Sequence, residues 1–402
     1  MPRIDTKLLA QLRSDTPNCE KLIHFNNAGA ALQPQVVYQS VLAHLELEYQ
    51  LGGYQAATNA SSDIQNFYQS LASLLNCNRN EIAYVENATR AWDMAVYAID
   101  FKPGDIVLTA KSEYVSNYLA LMHLAKTKGI EIQIIPNDEY GQVSVEALSE
   151  ALNGTLNNEV NSKVKLVAIT HVPTQGGLIN PAKAIGELLK NHKALYLLDA
   201  CQSVGQLHLD VNDIACDILC GTGRKFLRGP RGTGFLYVSQ RVVENLNPPF
   251  VDLQSAQWLD IDHYVLHANA QRFETWEGHM AGKIGLGCAI DYALAIGLLN
   301  IEARVVSLGA ALRKKLSSIP GVELHDLGKQ QCGIVSFTKH GVAPSELCAF
   351  LVEQGVNTSV SSGAYARLDL PERGIDDLLR ASLHYYNNEN EIERFCELVE
   401  SA

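Results

Sequence analysis

Short apolar runs rich in branched residues alternate along this chain with stretches of helical period. DIVLTA (105–110), IEIQIIP (130–136), KLVAITHV (165–172) and ALYLLDA (194–200) are near-continuously apolar, the pattern of buried parallel strands covered on both faces. Between them, NYLALMHLAKTKG (117–129) reads as a helix closing on glycine, and PAKAIGELLKNH (181–192) opens on a proline suited to a first turn. Strand, helix, strand in repetition predicts an α/β fold with a mainly parallel, doubly wound sheet, whose ligands gather beyond the carboxyl ends of the strands. The polar stretch LNGTLNNEVNSK (152–163) reads as a surface loop, and NLNPPF (245–250) as a break. The segment at 250–276 reads as long and irregular, a kind of loop that often carries function. From about residue 281 the period becomes that of a long helix, with a kink near Gly297, and GIVSFTKH with EIERFCELVE predicts a small α+β domain. The expected division is an N-terminal segment 1–24, a large domain 25–265, and a third part 266–402 holding an interface segment, the long helix and the small domain.

Composition narrows the partners. The chain has 402 residues, 47% of them apolar and 19% charged, ample for a large core. Its 32 basic and 44 acidic side chains give a net charge of −12, which repels polyanions and argues against nucleic acid. Nine cysteines without framework spacing predict reduced thiols and a cytoplasmic protein. Cys216 and Cys220 lack a second ligand pair, so no metal is expected. MPRIDTKLLAQLRSD has no apolar leader core and no run of eighteen apolar residues occurs, so neither secretion nor membrane insertion is expected.

Against this background three residues stand out. Asp199 follows LYLL at a strand end, Gln202 comes three positions later, and Lys225 follows the next predicted strand. A buried carboxylate that keeps a pyridine nitrogen protonated, with a desolvated lysine that forms a Schiff base, is the equipment of pyridoxal 5'-phosphate chemistry. Taken singly, the aspartate reads as a helix cap and the lysine as solvated surface; their company shifts the reading. Thr222 and Arg224 flank the lysine in a glycine-rich turn, supplying a hydroxyl and a guanidinium for a phosphate dianion. The turn matches neither a Walker A box nor G-x-G-x-x-G, so no nucleotide is implied. In VENATRAWDMAVYAI (85–99), Asn87, Ala88, Thr89 and Arg90 precede a helical run and offer a second anion contact through free backbone N–H groups.

These motifs, with FNNAGAALQP (25–34), SEYVSN, THVPTQGG, RFETWEG and LRASLHYYNNENEIERF, span nearly the whole chain. Together they resemble a class V aminotransferase-fold enzyme of the cysteine desulfurase and C–S lyase type, a branch of the fold-type I pyridoxal-phosphate enzymes. The resemblance implies a homodimer with active sites at the subunit interface and a small amino-acid substrate. It implies Lys225 on the cofactor aldehyde, Asp199 on the pyridine nitrogen and Gln202 on the ring oxygen. It implies phosphate anchoring by Thr89, Arg90, Thr222 and Arg224, and Arg380 as the clamp on the substrate carboxylate.

Departures from that pattern matter as much. Desulfurases of this branch carry a nucleophilic cysteine on a late loop, whereas VNTSVSSGAYARLDL (356–370) has none and Gly363 stands at about that place. Tyr114 stands where many stack a histidine on the ring, and His171 where an asparagine is usual, a position from which it would carry protons. RFETWEG replaces a glycine-threonine turn, so Trp276 and Glu277 are expected to shape the substrate pocket, for which Tyr54, His279 and the loop 359–367 are further candidates. Arg367 reads as a residue facing water. The wording of GTGRKFLRGPRGTGFLYV and HYYN is similar to hercynylcysteine sulfoxide lyase-like and isopenicillin N epimerase-like members. The expected reaction is β-elimination from a cysteine-derived thioether or sulfoxide. Epimerisation or racemisation, transamination, and a catalytically inactive binding protein of the same fold are the alternatives.

Overall fold

The computed structural model describes residues 4–153 and 161–402. Its larger unit is a seven-stranded sheet in the order Ile82–Val85, Gly234–Val238, Ile218–Thr222, Leu195–Asp199, Val164–Thr170, Ile106–Ala110 and Glu131–Ile135. The last five run parallel, and Gly234–Val238 is antiparallel to both its neighbours. The all-apolar runs form strands with helices on both faces, as a parallel sheet requires. IEIQIIP is the exception to the buried-strand expectation. It pairs on one side only, as an edge strand, and Glu131, Gln133 and Ile134 are exposed.

Leu195–Asp199 lies fourth of the seven, and its register aligns Thr170, Asp199 and Cys220 across three adjacent carboxyl ends. The loops after these ends therefore converge, and the site is built there.

Two other segments differ from the expectation. The stretch 250–276 is not irregular throughout: Ala256–Asp260 and His263–Leu266 form an antiparallel hairpin, followed by a 3-10 turn at Ala270–Phe273. Trp258, Ile261 and Tyr264 are all exposed, so the hairpin lacks the one-face burial that makes a strand visible as alternation. Pro181 precedes the helix Ala182–Leu189 as its cap instead of opening its first turn. Of the predicted surface loop, residues 154–160 lie outside the described residues, and Asn153 still belongs to the helix Val145–Asn153.

The long helical pattern is two helices, Met280–Ile296 and Leu298–Leu316, bent by 81° at Gly297. Gly297 has φ +90°, a conformation open to glycine at little cost. Among the described residues, no single helix is long and apolar enough to cross a membrane. Met280–Ile296 packs instead against the helices Gln35–Leu51 and Ser61–Leu75.

The smaller unit is a four-stranded antiparallel sheet in the order Val322–Leu324, Ile334–Lys339, Asp377–Ser382, Ser359–Ser362. The start of the chain is stitched to it. Ile23–His24 pairs with Val356–Asn357, Phe25 packs edge-on to Phe395, and Arg13 bonds the carbonyl of Tyr386 at 2.9 Å and Glu391 at 2.7 Å. The chain then crosses to the larger unit, where the Ala31 N–H donates to the carbonyl of Arg224. The turn after Lys225 is held by Arg228, at φ +61°, whose guanidinium bonds Leu32, Tyr385 and Thr16 at 2.6–2.7 Å.

Candidate active site

A cavity of about 500 Å³ opens at the converging strand ends, lined by Asn87, Thr89, Tyr114, Asp199, Gln202, Thr222, Arg224 and Lys225 among others. Asp199 ends the central strand with both oxygens committed: Oδ1 accepts from the Cys201 N–H at 2.9 Å and Oδ2 from Asn117 Nδ2 at 2.8 Å. Both partners are neutral donors, and among the described residues no lysine or arginine is paired with the carboxylate.

Lys225 is 8% exposed, and among the described residues it has no acidic partner within ion-pair distance. Burial lowers the pKa of its ammonium; Arg224 and Arg380 push in the same direction, while Cys201 and Asp199 oppose them. A neutral amine attacks a carbonyl, so the sign of the pH effect follows: as pH rises the reactive form grows, and it saturates earlier than for an ordinary lysine. The rate at which the apoprotein takes up cofactor should level off at a pH below the usual lysine value of 10.5. Stopped-flow mixing across pH checks this, and a rate still climbing through 10.5 contradicts it.

Arg380 comes from the other unit, on the strand Asp377–Ser382. It donates through Nη1 to the hydroxyl and carbonyl of Thr174 at 2.7 and 2.9 Å, and through Nη2 to Asn26 at 3.3 Å. Its Nε has no partner among the described residues and no carboxylate pairs with it. Burial, with Arg224 nearby, lowers its pKa to about 10. An unpaired, desolvated guanidinium is costly and marks a place for an anion. Arg224 Nη1 and Gln202 Oε1 are likewise buried without partners. Gln202 Nε2 is engaged with Ala28 and Thr174.

The first turn of the helix Ala88–Val96 faces the cavity through Asn87, Ala88 and Thr89. Arg90 does not. Asn87 caps its N–H at 2.8 Å, and its side chain turns outward, 3.8 Å from Glu86 and over the ring of Phe250. The helix geometry explains the difference, because successive residues point about 100° apart.

His171 also departs from expectation. Thr170 and Val172 line the cavity and His171 is not among the lining residues, in keeping with the alternation of side chains along extended backbone. Burial lowers its pKa to about 4, so the ring is neutral near pH 7. Tyr54, Trp276 and Glu277 line a second cavity of about 470 Å³ with Tyr68, Glu274 and Lys283; none of the three lines the first. His279 and Arg367 are exposed.

Several residues that sequence reasoning missed belong to the site. Thr174 joins Arg380 to Gln202, Cys201 lines the cavity beside Lys225, and Glu113 with Asn117 stands behind Asp199. Their only sequence signal is proximity to strand ends and, for Glu113 and Asn117, a four-residue spacing at a helix start.

The unpartnered Arg224 and Gln202 atoms, the buried amine, the Asp199 carboxylate and the open helix turn fit one molecule carrying a phosphate, an aldehyde and a ring nitrogen, while Arg380, which is not among the residues lining the cavity, is left for a second anion. Fold and site define a pyridoxal-phosphate enzyme of fold-type I. The chain belongs to the class-V aminotransferase family, whose model matches residues 23–395. It is 30% identical over 399 residues to a probable cysteine desulfurase of Methanothermobacter thermautotrophicus, covering 97% of this chain and 96% of that one. The cysteine desulfurase of Thermococcus onnurineus superposes with a TM-score of 0.88 at 25% identity, covering 98% of this chain and 97% of the other. A cystine C–S lyase, solved in complex with its product cysteine persulfide, superposes with a TM-score of 0.84 at 22% identity, covering 96% and 99%.

Proposed function

We propose that the enzyme eliminates a sulfur leaving group from the β-carbon of a cysteine-derived thioether or sulfoxide, without passing sulfur to a cysteine of its own. The observation that carries this reading is the segment 356–370, which forms the strand Ser359–Ser362 and a 3-10 turn at Gly363–Tyr365 and contains no thiol. A desulfurase of the usual kind needs a thiolate there to accept sulfur.

When bound, the cofactor supplies an electron-poor ring that draws charge from the substrate α-carbon. Thr89, Thr222, Arg224 and the N–H groups of Ala88 and Thr89 hold its phosphate. Asp199 would hold the ring nitrogen and favour its protonated form. Arg380 takes the substrate carboxylate in a forked pair, which orients the α-hydrogen. Lys225, the buried amine of the cavity, would remove that proton. Release of the β-sulfur leaves an unsaturated amine that water converts to pyruvate and ammonia. His171 favours elimination over inversion. Inversion needs a second proton donor, and a histidine titrating near pH 4 and off the cavity wall is a poor one.

A second copy of the chain is the partner proposed here. The exposed apolar residues Phe250, Leu253, Trp258, Ile261 and Tyr264 support it, as does the second cavity with Tyr54, Trp276 and Glu277. The nine free cysteines suit a reducing compartment.

A panel of S-substituted cysteines and their sulfoxides tests the reaction, with pyruvate, ammonia and the chirality of remaining substrate followed together. Equal amounts of pyruvate and ammonia are expected. Formation of only the opposite enantiomer, of only a keto acid with aminated cofactor, or of alanine with a protein-bound persulfide would refute it.

A further inference from the structure

Behind Asp199 lies a second buried acid. Glu113, 5% exposed, accepts four hydrogen bonds: from the Tyr114 N–H at 2.7 Å, Asn117 Nδ2 at 2.9 Å, the Thr170 hydroxyl, and the Thr109 hydroxyl at 2.8 Å. Among the described residues no lysine or arginine pairs with it. Such a carboxylate is expensive to bury and is tolerated because every donor around it is satisfied by it.

The geometry connects this acid to the cofactor site. The Asn117 amide nitrogen has two hydrogens and contacts two carboxylates, Glu113 Oε1 at 2.9 Å and Asp199 Oδ2 at 2.8 Å. Asn117 is thereby fixed with its nitrogen between the acids, and among the described residues it is the only side chain that bonds Asp199. Thr170, which donates to Glu113, ends the strand beside Asp199 in register with it. The two carboxylates thus share one donor and one set of strand ends.

We propose that Glu113 is a positioning residue: through the Asn117 amide it fixes the Asp199 carboxylate in place for the cofactor's ring nitrogen, and its charge adds to the field that keeps that nitrogen protonated. The inference rests on the assignment of pyridoxal phosphate to this cavity. The electrostatics agree with the geometry. Burial raises the pKa of Glu113, against the pull of the Thr170 bond, and the charge of Asp199 raises it further, to about 7. In its charged form Glu113 raises the proton affinity of basic groups near it.

A purely structural Glu113 would only tie together the Tyr114 N–H and the Thr109, Asn117 and Thr170 side chains, and its loss would lower stability without touching the ring. Glu113→Gln separates the two roles. It keeps the shape, removes the charge, and turns an amide N–H toward groups that are themselves donors. The measurement is the nitrogen NMR shift of ¹⁵N-labelled pyridoxal phosphate in the holoenzyme, with the cofactor dissociation constant and the kcat and KM of the active substrate. For Glu113→Gln we expect the shift to move toward the unprotonated ring, cofactor binding to weaken about tenfold, as when supporting partners of a bound group are removed elsewhere, and kcat to fall with KM unchanged. Should that variant fail to fold, Asn117→Ala breaks the same link and should move the shift in the same direction. In the double variant the effects should not add, since both act on one path. An unmoved shift in either folded, cofactor-bound variant overturns the proposal. Failure of the wild type to bind the labelled cofactor would instead overturn the cofactor assignment and leave the role of Glu113 without its object.

Discussion

Lys225→Ala should lower turnover by about a thousandfold or more, the scale of losing a positioned base, with an added loss from the missing covalent attachment. The protein should stay folded and be at least as heat-stable as the wild type. Lys225 is a buried cation flanked by Arg224 and Arg380, so its removal relieves desolvation and repulsion instead of breaking an ion pair. Its backbone, which supports the turn through the bond from the Arg228 N–H at 2.9 Å, is untouched by the change. Calorimetry and steady-state assay on the same sample check both halves. Turnover within tenfold of wild type would remove the lysine from the chemistry.

Arg380→Ala should lower kcat/KM by about 10- to 100-fold, chiefly through KM, the value of one charge-assisted pair to a carboxylate. The residue already spends Nη1 on Thr174, which aims it, while Nε has no partner. Arg380→Lys should recover only part of the loss, because an ammonium offers a point charge where the guanidinium offers a planar fork. A KM unchanged in both variants would mean that the carboxylate is held elsewhere. Arg224 is then the first place to look.

The branched apolar runs announce their strands because a central parallel strand is buried on both faces. Asp199, Gln202 and Lys225 are legible for a related reason: ligands collect at strand ends, and these residues follow runs whose ends can be located. What burial and register decide is not legible. Glu113 and Asn117 look like an ordinary helix start until Thr170 and Asp199 are brought beside them. His171 and Arg90 fail because sequence places them near the cavity without showing which way a side chain turns from strand or helix. The hairpin at 256–266 escapes notice because exposure on both faces erases its period. Tyr54, Trp276 and Glu277 line a different cavity of the same chain, without His279 or the loop 359–367.

That second cavity holds the sharpest rival to Lys225. Lys283 is also buried, burial lowers its pKa, and its ammonium lies 2.6 Å from the Tyr68 hydroxyl. Reduction of the holoenzyme with borohydride fixes the cofactor permanently to whichever lysine carries it, and peptide mass spectrometry then reads the position. A pyridoxyl group on Lys225 is the predicted result. A label on Lys283, or no labelled lysine at all, would contradict the site described for this enzyme.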